Sequence, residues 1–316
     1  MKIGRRAAVL LPMAAGAQEN WPSRPVRMVI PYPPGGPTDI LGRIVSQRLS
    51  VDLGQTFFAE NRAGAGGSIG AEQVARAAPD GATFLVNASA HVILPHMVRV
   101  PFDPVADFSP VTLIASVPLM LVVPANSPAR DVAGLVAYLR ANPDRASYAS
   151  SSNGGAPHLA GEMFRLQSGL PLQHIPYRGS GQALPDVVSG QVALMFDSMA
   201  SSADLVREGR LRALAVSTET RVPAFPDLPT MRQAGFPDYE ISTWYGIWAP
   251  GRMAPALVGR MQQAVAAALA HPEAALRLAA LGAIAGGQSP EAFGAFAARE
   301  NARYARLVRD ANIRAE

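Results

Sequence analysis

Residues 29–40 read VIPYPPGGPTDI: a short apolar run, prolines flanking a Gly-Gly pair, and the start of a helix-like pattern. Val26 to Pro31 predicts a strand. From Thr38 onward, Ile40, Leu41, Ile44, Val45 and Leu49 recur at helical spacing. Gly35 and Gly36 stand just before that helix, and Pro37 falls near its first position, where a missing N–H costs nothing. The same grammar returns at 147–164, SYASSSNGGAPHLAGEMF, with Gly154-Gly155 and Pro157 ahead of an amphipathic helix. Such a loop offers unpaired backbone N–H groups and the positive end of a helix dipole, which suits an anion. Glycine also removes the Cβ that would keep a ligand off the backbone. Thr38 and Asp39 are placed to fix the first turn or orient a water. One loop alone reads more simply as a strand-to-helix turn. The matched pair argues for two similar α/β lobes, each with a glycine loop at the carboxyl end of a strand, where open α/β sheets bind ligands.

The rest of the chain fits alternating α/β layers. Strands are predicted at Thr56–Glu60 and Thr83–Asn87, with a helix between them over Ile69–Ala77. The run PLMLVVPANSP, 118–128, is apolar on consecutive positions, as a strand buried on both faces requires. The alternation then restarts: helix Ala133–Arg140, strand Ala146–Ser150, helix Leu159–Gln167, strand Leu172–Pro176, helix Leu184–Val188, strands Val192–Phe196 and Leu211–Val216. TWYGIWAP, 243–250, reads as a core strand rather than an aromatic cage. Pro255 to Ala311 reads as nearly all helix, broken at Gly286-Gly287 and capped again at Ser289.

At 316 residues and 49% hydrophobic content the chain can bury a large core. The formal charge is +4, but Lys2, Arg5 and Arg6 precede any acid, and without them 25 basic side chains face 24 acidic ones. That balance, with no basic run and no interleaved aromatics, argues against a nucleic-acid partner while leaving local binding of an acidic ligand open. The first residues, MKIGRRAAVLLPMAAGA, combine a basic start, an apolar stretch and an A-x-A site at Ala15-Gly16-Ala17. They predict an export signal over residues 1–17, with Arg5-Arg6 leaving twin-arginine export open beside the general route. No later apolar run reaches the roughly 18 residues of a membrane span. The absence of cysteine fits an exported protein and removes thiol chemistry.

Competing chemistry is thin. GAGGSIG, 64–70, resembles a dinucleotide fingerprint but has Ile69 at the third glycine position, and neither Gly-Gly loop ends in Gly-Lys-Ser/Thr. Lys2 is the only lysine, which removes a catalytic lysine from the exported chain. Ser180 in YRGSGQ lacks the spacing of a nucleophile elbow. His91, His96, His158, His174 and His271 show no metal-ligand spacing, although His91 and His158 fall at loop ends near the expected cleft. No catalytic residue, cofactor or metal is therefore expected.

Five segments together resemble the Bug-type extracytoplasmic solute receptors of tripartite tricarboxylate transporters: WPSRPVRMVIPYPPGGPTD at 21–39, ENRAGAGGSIGAEQVARAAPDG at 60–81, PHLAGEMF at 157–164, IPYRGSGQALPDVVSGQVALMFDS at 175–198 and WYGIWAPGRMAP at 244–255. The resemblance implies a type II periplasmic binding fold: lobe 1 over 18–116, lobe 2 over 117–225, and a return to lobe 1 over 226–316. It implies two glycine loops that pinch a small carboxylate, a dicarboxylate or aromatic acid, mainly through backbone N–H groups and water. By position the pincers are Pro34, Gly35, Gly36, Thr38 and Asp39, and Ser151, Ser152, Asn153, Gly154 and Gly155. Asn87, Ser89, His91, Gly179, Ser180, Asp197 and Ser198 would complete the cleft. The run Asn87-Ala88-Ser89-Ala90 departs from the small Ser/Thr/Gly run of many relatives, since Ala90 cannot donate from its side chain. The implied setting is the periplasm. The implied partners are the small-molecule carboxylate and the membrane subunits of a tripartite transporter, with the chain acting as a monomer. A sensor partner, or an enzyme acting on an acidic metabolite, are the alternatives.

Overall fold

The computed structural model describes residues 21–310 and 313; the expected export signal lies outside the described residues. β1 (Val26–Ile30), α1 (Pro37–Leu53), β2 (Phe57–Asn61), α2 (Ser68–Ala75), β3 (Thr83–Ala88) and the short α3 (Ala90–Ile93) open the chain. The strand β4 (Phe108–Pro124) then leads into α4 (Val132–Ala141), β5 (Ser147–Ser150), α5 (Ala156–Ser168), β6 (Gln173–Pro176), α6 (Ser180–Val188), β7 (Leu194–Ser198), α7 (Met199–Arg207) and β8 (Leu211–Val216). The return comprises β9 (Ser242–Pro250), α8 (Pro255–Ala270), α9 (Pro272–Ala280), β10 (Ile284–Ala285) and α10 (Pro290–Asp310).

β4 belongs to two sheets. Its residues 108–118 pair antiparallel with β9, in a sheet ordered β2-β1-β3-β9-β4 with β10 against Ala115 and Ser116. Its last residues, from Leu119, pair with β7 and β8, in a sheet ordered β6-β5-β7-β4-β8. β1 runs parallel to β2 and β3, and β5 runs parallel to β6 and β7, so each sheet presents the carboxyl ends of its parallel strands along one edge. Helices cover both faces of such a sheet, which explains why Leu119 to Val123 are wholly buried on consecutive positions.

The crossing is pinned by Ser217. Its N–H donates to Leu119 O at 2.9 Å, its Oγ accepts from Leu119 N–H at 3.2 Å, and its O accepts from Ile241 N–H at 3.0 Å. One buried serine thus ties the outgoing strand to the returning segment.

Several elements differ from the sequence reading for local reasons. β4 begins ten residues before the apolar run at 118, because Ser109, Pro110, Thr112 and Ser116 interrupt the apolar pattern there. α7 was not expected: Ser201, Ser202 and Asp204 favour turns, yet the serine hydroxyls bond back to the helix start. The C-terminal run breaks first at His271-Pro272, where Pro272 opens α9, and it also contains β10. Ser289 does cap α10, its Oγ accepting from Ala292 N–H at 3.2 Å.

Candidate functional site

Loop 1 leaves the carboxyl end of β1. Gly35 has φ 83°, a left-handed conformation that glycine adopts without strain, and Gly36 is the N-cap of α1. Asp39 is buried in the first turn. Its carboxylate accepts from Gly35 N–H at 3.0 Å, Arg43 Nε at 2.9 Å and Asn61 Nδ2 at 2.9 Å. Burial opposes its charge, but Arg43, Gly35 and Asn61 outweigh burial and hold it below the ordinary carboxylate range. The Gly35 donor is therefore spent inside the loop. The backbone N–H groups of Thr38 and Asp39 lie in the first turn of α1, whose donors precede any intrahelical acceptor.

Loop 2 leaves β5 in the same way. Gly154 has φ 75°, and its N–H donates to His158 Nδ1 at 3.2 Å. Gly155 is the N-cap of α5, and its N–H reaches Ser152 O at 3.3 Å. Ser151, Ser152 and Asn153 are half-buried around the turn. Ser150 Oγ meets His174 Nε2 at 2.7 Å beneath them. The lobes touch here, since a Cβ on Gly154 would come within 2.8 Å of Leu94 Cδ1 and 3.5 Å of Met97 Sδ.

Two further strand ends supply the remaining side chains. Asp197, at the end of β7, is fully buried; it accepts from Ser180 Oγ at 2.6 Å and Ser201 Oγ at 2.5 Å, joining the N-termini of α6 and α7. Burial pushes its carboxyl up to about 6 despite those hydrogen bonds. Gly179, with extended backbone, caps α6. At the end of β3, Asn87 Oδ1 accepts from the Tyr32 hydroxyl at 2.9 Å, tying loop 1 to that strand.

His91 sits elsewhere. Its ring is buried against Phe108 and Trp248 with centroids 4.6 and 4.5 Å away; Nε2 donates to Pro104 O at 3.0 Å and Nδ1 stands 3.4 Å from Asn87 Nδ2. Burial drives its pKa down to about 4, so it is a neutral core ring behind Asn87. The structure joins Gly35 to Asp39 within loop 1, ties that loop through Tyr32 to Asn87, carries Ser151 to Gly155 on the opposite lobe, and joins Ser180 to Asp197.

Tyr245 was missed by the sequence reading. It lies on β9 opposite Ala115 and Ala88, and its hydroxyl is pushed up by burial, with Asp197 of one lobe and Tyr32 of the other adding to the shift. The hydroxyls of Ser198 and Thr243 stand beside it, buried and without a hydrogen-bond partner of ordinary geometry; Ser89 Oγ is buried in the same condition. Thr243, Tyr245 and Ile247 alternate with Trp244 and Trp248, so a polar start to one face of TWYGIWAP was the available signal.

The arrangement can hold a small polar anion between lobes by backbone N–H groups and hydroxyls. The family model described as tripartite tricarboxylate transporter family receptor matches residues 41–313. Protein BugT of Bordetella pertussis is 34% identical, covering 96% of this chain and 93% of its own length. A structure of Rhodopseudomonas palustris Rpa4515 with adipate superposes with a TM-score of 0.88 at 36% identity, covering 93% of this chain and 99% of that one. MatC of the same organism, with bound malate, gives 0.83 at 30% identity, covering 91% and 100%.

Proposed function

The chain belongs to the tripartite tricarboxylate transporter family of receptors, and from that premise we propose that it captures a small carboxylate between the Gly35-Gly36 and Gly154-Gly155 loops and delivers it to a tripartite membrane transporter. The receptor family is periplasmic, and among the described residues no helix is long and apolar enough to cross a membrane. The observation that carries the reading is the matched pair of glycine loops at the N-termini of α1 and α5, one on each side of the crossing strands. We take the two sheets as the two lobes, with the expected 117–225 unit extended: Phe236 packs on Phe164 and the Tyr239 hydroxyl donates to Ala160 O, so residues 226–241 stay with β5–β8 and the return to the first lobe begins at β9.

Pro34, Gly36 and the backbone N–H groups of Thr38 and Asp39 would face the anion from one lobe, with Ser151, Ser152, Asn153, Gly155, Gly179 and Ser180 opposite. Ser89, Ser198, Thr243 and Tyr245 would read the remainder of the ligand. The ligand class is a dicarboxylate of four to six carbons or an aromatic acid; malate and adipate, bound by the two relatives, are the first to try. A thermal-shift screen over such acids tests the proposal, because a ligand above its Kd must raise the melting temperature. Stabilisation by one or a few acids is expected; no shift with any, checked by calorimetry, overturns it. Export predicts a mature chain beginning near Gln18, so an intact periplasmic mass retaining Met1 would contradict the signal.

A further inference from the structure

The two loops share a hydrogen bond at equivalent positions. In each, the positive-φ glycine just before the N-cap donates its N–H to the side chain four residues later, in the first turn of the helix: Gly35 to Asp39 Oδ2 at 3.0 Å, Gly154 to His158 Nδ1 at 3.2 Å. A backbone N–H can only donate, so Nδ1 of His158 must hold a lone pair and any ring proton must sit on Nε2. The two acceptors differ in kind. Asp39 is an anion secured by Arg43 and Asn61, whereas His158 is a buried imidazole.

The groups around His158 leave it neutral. His174 of β6 stacks on it at 4.0 Å with planes 7° apart, and Tyr148 of β5 stacks on His174 at 4.8 Å. On its own helix Glu162 is the nearest charge, and that carboxylate is already engaged by Tyr148 Oη at 2.7 Å and Arg165 Nε at 2.9 Å. From the other lobe Leu94 and Met97 approach at Gly154.

We propose that His158 is the positioning residue of the second loop: its neutral imidazole holds the Gly154 peptide in the shape that presents the loop, and protonation of the ring releases the loop while the Asp39 latch stays closed. The proposal rests on the clamp reading above. Burial lowers the His158 pKa to about 4 against the pull of Glu162, so the latch holds at neutral pH and opens only in acid.

The first measurement needs no ligand. In protein labelled with 15N-histidine, the His158 signals should show Nδ1 unprotonated and Nε2 protonated at pH 7; a proton on Nδ1 overturns the proposal. His158→Phe keeps a ring over His174 but removes the acceptor, and should speed amide exchange at Gly154 by about tenfold, the effect of losing roughly one hydrogen bond. His158→Asn restores an acceptor that does not titrate, and should return exchange towards the wild-type rate. Unchanged exchange in His158→Phe overturns the latch. Calorimetry with malate and adipate at pH 7 and pH 3.5, the latter below the His158 value, then reads the consequence: protonation of the acid and of the other carboxylates affects both proteins alike, and wild type should lose further affinity that His158→Asn keeps. Equal losses overturn the proposal. Should neither these acids nor any acid of the screen bind wild type, the clamp reading fails and the release of captured acid fails with it, while the exchange data still decide the latch.

Discussion

Gly36 has φ −78° and ψ 166°, a backbone conformation open to any residue, and a Cβ there would find nothing nearer than Pro33 O at 3.9 Å. Gly36→Val should therefore leave thermal stability within about 1 kcal/mol of wild type, since it meets no native contact. It should nonetheless abolish the thermal shift given by the recognised acid, because the new side chain enters the loop mouth. Retained binding in Gly36→Val would mean that loop 1 does not touch the ligand. Asp197 tests electrostatics. Its folded pKa, raised by burial to about 6, exceeds the unfolded carboxylate value, so the stability it contributes is present at low pH and is lost as pH rises through about 6. Asp197→Asn removes that titration. The stability of the variant relative to wild type should rise by about 2–3 kcal/mol between pH 4 and pH 7. A constant difference in urea titrations across that range would refute the shift; His91 and His158, present in both proteins, cancel.

At the scale of elements, Ser217 carries the crossing, and its truncation is the natural probe. Ser217→Ala leaves Leu119 N–H buried without its side-chain acceptor, so a loss of about 1–3 kcal/mol in denaturant unfolding is expected. An effect below about 0.3 kcal/mol would show that β4 holds the lobes without it. The glycine loops were legible because Gly-Gly and Pro at a strand-to-helix junction leave few other readings, and the copy at 147–164 shows the same junction twice. Asp39 was legible for the same reason, four residues beyond Gly35. Tyr245 was not. Its nearness to Asp197 exists only because β9 returns beside the first half of β4 while β7 pairs with the second half, a non-local arrangement that no local pattern encodes. Likewise His91 read as a cleft residue from its position after β3, and only the packing of Phe108 and Trp248 around it shows a core ring.

For the whole molecule, the proposed clamp, with one loop on each lobe, links affinity to closure. A ligand favours the closed arrangement only through its extra affinity for that arrangement. The lobes meet at Leu94 and Met97 against Gly154, a contact that involves no donor to the ligand. Leu94→Ala should thus weaken binding without altering the site: a closed state made about 1–2 kcal/mol less favourable lowers apparent affinity by roughly 5–30-fold when the open state predominates. Because the chain has no cysteine, residues introduced at the exposed Ile69 and Gln182 can carry spin labels, one on each lobe, without background labelling. On adding the recognised acid, wild type should shift to shorter inter-label distances by bending near Ala115–Pro118 and between Ser217 and Ile241, where the two connections run. Leu94→Ala should need proportionately more acid for the same shift, yet reach the same final distance. If calorimetry confirms binding while the distances stay fixed in both proteins, the acid is held by one lobe alone and the clamp is wrong.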